Sequence, residues 1–327
     1  MSIVRILGRL CCPWCLHGTD GCESALRAAA TEWVCARCTR AYPVVDGVPD
    51  LRFPGMNAGS QDEHAVHFYE REYSGEGYGR DDQDEHVRPL ERWLADVAAD
   101  ALVLELGPGR GALQALHPGY VGTDLSVNSL RRFVRAPSFA SDAQRLPLRS
   151  GSVDFLYTVA VLEHIPRPER SLAEIARILA PGGTAYLAPA WNCRTWAAQG
   201  LHVRPYRDLA FGQRVHKATI PVRDSLAWRG AWAIPKRILR RAAWRLSGRP
   251  TPYRYRTLHA NFEVYWAADS DATAQLDPHE TALYFESRGW SVLSPAGMLG
   301  RIFHRAQALV VRRPPPKHPI GRDDETR

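Results

Sequence analysis

The chain has 327 residues, of which 45% are hydrophobic and 24% are charged, a composition typical of a globular protein that buries a substantial core. No apolar run approaches the ~20 residues that a membrane span needs. Arg5 and Arg9 interrupt the N-terminus where a secretion signal would carry an apolar core. These features argue against a membrane-spanning or secreted protein, and we expect a cytoplasmic one.

The net charge of +7 is concentrated in one part of the chain. The segment Trp191–Pro250 contains 13 Lys or Arg residues, opposed by Asp208 and Asp224 alone. This segment therefore carries more positive charge than the whole protein, and an anionic partner is expected there.

Two Cys-x-x-Cys pairs lie near the N-terminus, Cys12-Pro13-Trp14-Cys15 and Cys35-Ala36-Arg37-Cys38, with 19 residues between them. Four thiolates at this spacing predict a closed, structural zinc site, while redox-active or metal-free cysteines are the alternative. We expect residues 1–53 to form a zinc ribbon with a hairpin at 44–48, followed by a linker at 54–62. The remaining cysteines lack ligand spacing and are expected to stay thiols: Cys11, Cys22 and Cys193.

Leu10, the two cysteine pairs and the stretch Arg40–Leu51 resemble the zinc ribbon related to the small activating subunit of tRNA and protein methyltransferases. The resemblance implies a scaffolding or partner-contact role for this module, and no chemistry of its own.

Strands and helices alternate further along the chain. Helices are predicted at 62–73 and 83–99, then a strand at 102–106 with a glycine turn and a short helix, and strands at 120–124, 153–159 and 184–188. A helix at 169–179 is expected to stop at Pro181-Gly182-Gly183. The alternation predicts an α/β fold, a Rossmann-like, doubly wound and mostly parallel sheet.

The alternation is interrupted at 190–276, which we interpret as an insertion in a domain spanning 63–312. The pattern resumes with a helix at 277–288 and strands at 290–293 and 306–312. The proline-rich stretch 313–327 is predicted to be a flexible tail.

The first strand ends in Glu105 and leads into Gly107, Gly109 and Gly111. Glycines allow a tight turn and a close backbone approach to a cofactor. The spacing differs from Gly-x-Gly-x-x-Gly, and a carboxylate before the loop would repel a pyrophosphate. It would suit the cationic amino-acid end of S-adenosylmethionine (SAM).

Two more carboxylates follow later strands. Asp124 could accept both ribose hydroxyls, and Asp142 could accept the adenine amino hydrogens. Each of them alone is typical of a helix cap or a turn, and it is their order along the chain that indicates a cofactor site.

From Val103 to Pro189 the chain resembles the class I SAM-dependent methyltransferases, in particular the type 11 subfamily. The matching stretches are 104–111, 121–126, 142–147, 153–155, 161–165 and 174–183. The resemblance implies that Glu105, Gly107 and Gly109 surround the methionine part of SAM and that Asp124, followed by Leu125, holds the ribose. It further implies that Asp142 and Ala143 contact the adenine and that Thr158 and Val159 line the site of the methyl group.

His164 is the nearest candidate for a general base, which an oxygen acceptor would need. The alternative is a structural residue at a helix start that packs against Pro166. Other ionisable candidates lie in the insertion and stay unranked: Tyr206, Arg207, Asp208, Glu263, Asp269 and Asp271.

The insertion is predicted to cover the carboxyl ends of the strands and bind the acceptor. Residues 228–249 predict a basic amphipathic helix, which suits an anionic membrane surface, a phosphate-bearing acceptor or RNA. Alternatively, its apolar face packs inward and its basic face is solvated. The stretch Asn261–Trp266 with Asp269-Ser270-Asp271 suits sugar binding or a packed hairpin.

Three functions remain open. The favoured one is O-methylation of a saccharide, a lipid-linked glycan or a secondary metabolite. rRNA or tRNA base methylation is second. A family of bacterial rRNA guanine methyltransferases has a zinc ribbon ahead of a similar domain, but its fourth ligand is usually His where this chain has Cys38. Residues 158–161 also lack an Asn-Pro-Pro-Tyr-type motif for flipped bases. The third is a non-catalytic, SAM-binding partner subunit.

Overall fold

The computed structural model describes residues 3–19, 21–53, 61–72, 84–264, 266, 269–303 and 308–316. Most of the predicted linker at 54–62 and most of the predicted tail at 313–327 lie outside these residues.

The N-terminal part forms a four-stranded antiparallel sheet in the order β1-β2-β3-β4. Its strands are β1 (Leu26–Ala28), β2 (Glu32–Cys35), β3 (Ala41–Val45) and β4 (Val48–Pro49). Asp46 and Gly47 join the last two strands with φ angles of 50° and 85°. This geometry suits an Asp-Gly turn, and the predicted hairpin is confirmed.

The central sheet has seven strands in the order β12-β13-β9-β8-β5-β6-β7. The pairs among β5 to β9 are parallel, while β13 runs antiparallel to β9 and β12 antiparallel to β13. The bounds are β5 (Val103–Leu106), β6 (Tyr120–Asp124), β7 (Ser138–Ala140), β8 (Val153–Val159), β9 (Leu179–Ala188), β12 (Ser291–Ser294) and β13 (Leu309–Arg312).

Helices cover both faces of this sheet, and apolar side chains from the two sides of each strand pack into two separate clusters. The helices are α1 (Gln61–Glu72), α2 (Asp84–Leu94), α3 (Val127–Phe133), α4 (Pro168–Ile178), α7 (Pro278–Glu286) and α8 (Met298–Ile302). The doubly wound, mostly parallel sheet predicted from the alternating pattern is confirmed.

Two local predictions were wrong. Residues 107–119 form successive turns in place of the expected short helix. Gly111 adopts a φ of 73°, which a right-handed helix does not allow, and Pro118-Gly119 ends the segment. The helix predicted at 83–99 ends at Leu94, five residues early.

The insertion contains two long helices, α5 (Phe211–Asp224) and α6 (Leu226–Ser247), and a short hairpin of β10 (Arg256–Thr257) with β11 (Ala274–Gln275). Ser225 caps α6 by accepting the amide of Trp228, and Gly248 ends the helix with a φ of 62°. No helix within the described ranges combines the length and the apolar character that crossing a membrane requires.

Helix α6 presents the opposite face from the one expected of a packed amphipathic helix. Three of its arginines point inward: Arg237 pairs with Asp277 at 2.8 Å, Arg240 with Glu280 at 2.9 Å and Arg241 with Glu286 at 2.6 Å. Its apolar side chains point outward, with Trp232, Leu239 and Leu246 exposed by 68%, 70% and 89%. The alternative of a buried apolar face with a solvated basic face is wrong, because α7 and its neighbours supply buried carboxylates.

The N-terminal ribbon packs directly on the outer strand of the central sheet. The amide of Leu51 donates to the carbonyl of Ala140 at 2.9 Å, and the amide of Cys11 donates to that of Pro147 at 2.9 Å. Ribbon residues such as Leu10 and Tyr42 share one apolar cluster with the sheet. The ribbon is therefore joined to the α/β part of the chain through a common core.

Candidate functional site

The glycine loop after β5 takes a form that side chains would prevent. Gly107, Gly109 and Gly111 have φ angles of 71°, 52° and 73°. A Cβ atom on Gly107 would lie 2.3 Å from Cγ2 of Val161. The loop thus needs glycine for its backbone conformation and for its contact with the segment after β8.

Glu105 lies beneath this loop, only 1% exposed. Its Oε2 atom accepts hydrogen bonds from Tyr120 at 2.6 Å and from Tyr157 at 3.4 Å. These bonds satisfy a buried carboxylate, and burial with the nearby charge of Glu105 raises the pKa of both tyrosines far above their usual range. Direct contact between Glu105 and a cofactor stays a prediction.

Asp124 ends β6 beside the same loop. Its Oδ2 atom accepts the amide of Gly109 at 3.2 Å, and its Oδ1 atom accepts the amide of Ser126 at 2.9 Å. Burial raises the pKa of Asp124 to about 6, although these amide bonds oppose the shift. A carboxylate that already accepts two amides keeps lone pairs for two ligand hydroxyls.

The ends of β6 and β7 are tied together, which brings the predicted adenine segment next to Asp124. The Ser141 amide donates to the Asp124 carbonyl at 2.9 Å, and the hydroxyls of Thr123 and Ser141 are 2.7 Å apart. Asp142 is 7% exposed and accepts the amide of Gln144 at 2.8 Å. Ala143 and Leu125 are half-buried neighbours on this edge.

Thr158 and Val159 end β8, where Thr158 pairs in register with Leu106. Both residues are buried, and the Oγ1 atom of Thr158 has no hydrogen-bond partner among the described residues. The structure thus places the predicted cofactor residues at the carboxyl ends of four adjacent parallel strands, where ligands of such sheets bind.

A cluster of ionisable groups lies just beyond β8. His164 Nδ1 is 3.3 Å from Oδ2 of Asp271, and its Nε2 is 3.9 Å from Oε1 of Glu163. Burial alone would lower the pKa of His164, but the carboxylates of Asp271, Glu163 and Asp269 raise it above its usual value. Burial also raises the pKa of Glu163 and of Asp269. The structure brings three predicted candidates together here, His164, Asp269 and Asp271.

Helix α1 supplies functional candidates that sequence reasoning missed. Tyr69 donates to Oδ2 of Asp271 at 2.8 Å. Glu70 accepts the amides of Val127 and Asn128, both at 3.0 Å, and so caps α3 next to Asp124. Arg52 binds Glu70 at 3.0 Å. Helix α1 lies ahead of β5, outside the glycine and carboxylate motifs, and its sequence has no residue spacing that would have indicated these contacts.

A cavity of about 1050 Å³ lies between α1 and the insertion. Its walls combine imidazole, aromatic, guanidinium and carboxylate groups. They include His64, His67, Phe68, Arg71, His216, Arg256, Phe262 and Glu263. Phe262 packs on Phe68 at 5.3 Å between ring centroids. The predicted acidic aromatic stretch therefore lines a cavity. The candidates Tyr206, Arg207 and Asp208 form an exposed turn and do not line it.

The four predicted metal-ligating cysteines converge in the ribbon. The Sγ atoms of Cys12, Cys15, Cys35 and Cys38 all lie within 4.8 Å of one another. Cys35 Sγ also accepts the amides of Arg37 and Cys38, at 3.3 and 3.4 Å. Four sulfurs this close, with amides turned toward one of them, could hold a tetrahedral zinc ion. Cys11, Cys22 and Cys193 are not part of this group.

Residues 104–187 match the model of a family described as a methyltransferase domain. An uncharacterized methyltransferase of Mycobacterium ulcerans is 32% identical over 138 residues, which cover 37% of this chain and 52% of that protein. A tRNA (carboxymethyluridine(34)-5-O)-methyltransferase of Macaca fascicularis is 32% identical over 105 residues, covering 30% of this chain and 16% of that protein. The chain thus spans about half the length of the first of these relatives.

Among solved structures, a methyltransferase of Haloferax volcanii in complex with its Trm112 activator is 20% identical, with a TM-score of 0.36. The similarity covers 79% of this chain and 99% of that one. The SAM-bound amino pentose methyltransferase of Micromonospora echinaspora is 21% identical, with a TM-score of 0.30, covering 38% of this chain and 56% of that one.

Proposed function

We propose that this protein methylates a hydroxyl group of a saccharide, a lipid-linked glycan or a secondary metabolite. The proposal starts from the SAM-dependent methyltransferase domain with the class I fold that the chain carries. The observation that carries the proposal is that the glycine loop, Asp124 and Asp142 lie at the ends of adjacent strands. A separate cavity between α1 and the insertion, lined by polar and aromatic groups, offers space for an acceptor.

The cofactor side of the proposal assigns a role to each strand end. Gly107, Gly109 and Gly111 would let the methionine part of SAM approach the backbone above Glu105. Asp124, with Leu125 beside it, would accept the ribose hydroxyls, and Asp142 with Ala143 would meet the adenine. Thr158 and Val159 would line the methyl group, and the unpartnered Oγ1 of Thr158 fits a polar contact there.

SAM, when bound, supplies a methyl group already activated by its positively charged sulfur. The chain's residues then have to align the acceptor and exclude water, which can account for ~7–11 kcal/mol of barrier reduction. The acceptor oxygen forms its bond to the methyl carbon as the sulfur–carbon bond breaks, and the hydroxyl proton must leave. We propose His164, held by Asp271, as the catalytic residue on the acceptor side.

The cavity between α1 and the insertion suits a hydroxyl-rich acceptor. Phe68 and Phe262 provide apolar faces on which a sugar ring could stack, while Asn261 and Glu263 provide hydroxyl partners. The cavity is linked to His164 through α1, since Tyr69 neighbours Phe68 and lies 6.3 Å from the His164 ring. We therefore propose this cavity as the acceptor site.

A lipid-linked acceptor would lie at a membrane surface, and we propose peripheral contact through 228–249. The exposed apolar face of α6 supports this contact, as do the exposed Lys236, Arg245 and Arg249. Anionic headgroups would attract these cations while the tryptophans enter the interface.

We also propose that the four cysteines hold one structural zinc ion. The ion would supply folding energy to a ribbon too small to be stable alone. Elemental analysis should find one zinc per chain in protein purified without chelators, and a metal-free preparation that is fully folded would contradict this role.

tRNA base methylation is the second candidate, favoured by the similarity to the tRNA methyltransferase of Macaca fascicularis and by the positive charge of 191–250. An RNA acceptor would bind less tightly as salt rises, because counterions are released on binding. Affinity for tRNA that does not change with salt would count against it.

Methyl transfer from radiolabelled SAM into fractionated extract tests the proposal directly. RNA, lipid, glycan and small-molecule pools would be separated after reaction. We expect label in the glycan, lipid or small-molecule pool with the native chain and much less label with Asp124→Asn at the same SAM concentration. Asp100→Asn, at an exposed site, serves as the matched control. Label confined to RNA would replace the first function with the second, and no label in any pool would favour a non-catalytic subunit.

A further inference from the structure

Three side chains from two separate parts of the chain meet beyond the end of β8. Glu163, His164 and Asp269 each bring one oxygen or nitrogen atom within 4.8 Å of the others. Asp269 belongs to the insertion, more than 100 residues after Glu163, and the two segments are joined where the Thr273 amide donates to the Glu163 carbonyl at 2.8 Å. The fold itself therefore assembles this group.

Glu163 is the buried centre of the group, with 0% exposure. Its Oε1 atom accepts the Ala190 amide at 2.8 Å, but its Oε2 atom is buried with no hydrogen-bond partner among the described residues. A polar oxygen left without a partner in the interior is costly, and buried polar atoms without partners are rare in folded proteins. The unpartnered Oε2 atom points to a ligand that the protein residues do not supply.

His164 lies between two carboxylates, with one ring nitrogen near each of them. Its Nδ1 atom faces the carboxylate of Asp271 at 3.3 Å, and that carboxylate is fixed by the Tyr69 hydroxyl at 2.8 Å. Its Nε2 atom is turned toward Glu163, at 3.9 Å from Oε1. A carboxylate on one ring nitrogen commonly sets the direction and the tautomer of the other, which binds the metal.

We propose that Glu163, His164 and Asp269 bind one divalent cation, with Asp271 and Tyr69 as positioning residues for the imidazole. Two carboxylates and one imidazole form a set of hard and intermediate ligands, suited to Mn²⁺ or Mg²⁺ and different from the four thiolates of the ribbon. The site also adjoins the glycine loop, because Val161, two residues before Glu163, packs on Gly107.

The part of this inference that concerns catalysis rests on the proposed function. A cation here would coordinate the acceptor hydroxyl and lower its pKa, so that the proton passes to solvent while the oxygen takes the methyl group. With the cation bound, His164 would be a ligand and would not accept the acceptor proton itself, so its role in the proposed reaction would be to hold the cation. Cation binding itself does not depend on the reaction.

Titration of the full zinc-loaded chain with Mn²⁺, with electron paramagnetic resonance detecting the unbound ion, tests the site. Mn²⁺ binds thiolates weakly and would leave the ribbon zinc in place. We expect one Mn²⁺ per chain and at least ~10-fold weaker binding in Glu163→Gln and in Asp269→Asn. Glu91→Gln and Asp208→Asn make the same changes at exposed positions and should bind as the native chain does.

Absence of Mn²⁺ binding by the native chain, or equal binding by Glu163→Gln and Asp269→Asn, would overturn the proposal. Asp269 is only half-buried, so its variant decides the matter if the buried Glu163→Gln fails to fold. SAM affinity, measured in parallel by calorimetry, separates the two proposals. If the chain binds Mn²⁺ but not SAM, the proposed function is wrong and the cation site stands. If the chain binds SAM but not Mn²⁺, only the cation site is wrong.

Discussion

The Gly109 amide donates to Oδ2 of Asp124 at 3.2 Å, so the carboxylate that ends β6 is tied to the glycine loop that follows β5. The loop and the carboxylate therefore keep one relative position before any ligand arrives. Preorganised partners of this kind lose less entropy on binding than mobile ones. The consequence can be measured through SAM affinity and its dependence on pH.

We predict that Asp124→Asn weakens SAM binding by about 10- to 100-fold, because hydrogen bonds to a charged acceptor contribute ~1.5–3 kcal/mol each. The pKa of Asp124 is raised to about 6, so the carboxylate is ionised above that pH and neutral below it. Native affinity should hold steady from pH 8 to 7, then fall as the pH drops through about 6. Calorimetry at several pH values checks this. If SAM affinity of the Asp124→Asn variant fell in the same way as the pH drops through about 6, the prediction would be contradicted.

Much of this cofactor edge could be predicted from the sequence, since its signals are local. A buried strand, alternate glycines and a carboxylate at the next strand end lie within about twenty residues, Glu105 to Asp124. The cysteine pairs are equally local. Such short patterns are set by backbone geometry and ligand spacing, which do not depend on distant packing.

The insertion could not be predicted in the same way, because its partners are distant in sequence. Helix α6 shows an apolar and a basic face, but only its pairing with the half-buried Asp277 and the buried Glu280 decides which face turns inward. The contact between His164 and Asp271 likewise spans more than 100 residues. The periodicity of a helix sequence predicts that it has two faces. Which face turns toward the core is decided by tertiary contacts.

We predict that losing the ribbon metal weakens SAM binding as well as stability. Ribbon amides of Leu51 and Cys11 bind the carbonyls of Ala140 and Pro147, on either side of the Asp142 segment. A ribbon unfolded by Cys35→Ser should release this segment, lowering the melting temperature and reducing SAM affinity at least ~3-fold. Cys22→Ser, outside the four-cysteine group, is the control for thermal unfolding and calorimetry. Full SAM affinity in Cys35→Ser would show that the ribbon and the cofactor edge are uncoupled.

We predict that Arg240→Met destabilises the fold by roughly 3–5 kcal/mol, because it leaves the buried carboxylate of Glu280 without its partner. Arg245→Met removes an exposed arginine of the same helix and should change stability by no more than about 0.5 kcal/mol. Urea unfolding compares the two. The double variant Arg240→Met with Glu280→Leu should recover most of the loss, since neither charge remains buried. A single variant as stable as Arg245→Met would mean that α6 is not held by this pair.

We predict that the outward face of α6 binds anionic vesicles. Trp232 and Leu239 are 68% and 70% exposed, and Lys236 beside them is an exposed cation. Apolar side chains at this position would enter the bilayer interface, while the cations add about 1 kcal/mol each near an anionic surface. Trp232→Ser with Leu239→Ser should lower co-sedimentation with phosphatidylglycerol vesicles at least ~10-fold, because each loss removes apolar burial.

The same double variant should fold and bind SAM as the native chain does, since it removes side chains that are mostly exposed. Val203→Ser, another exposed apolar position in the insertion, is the matched control and should leave vesicle binding unchanged. Binding to vesicles of phosphatidylcholine alone should be weaker, and salt should reduce the difference between the two compositions. Equal sedimentation of the native chain and the double variant would contradict a membrane role. A dimer formed through α6 would bring the exposed cations of two copies, such as Lys236 and Arg245, close to each other. The helix contains no carboxylate to offset this repulsion, so charge favours an anionic surface as the partner.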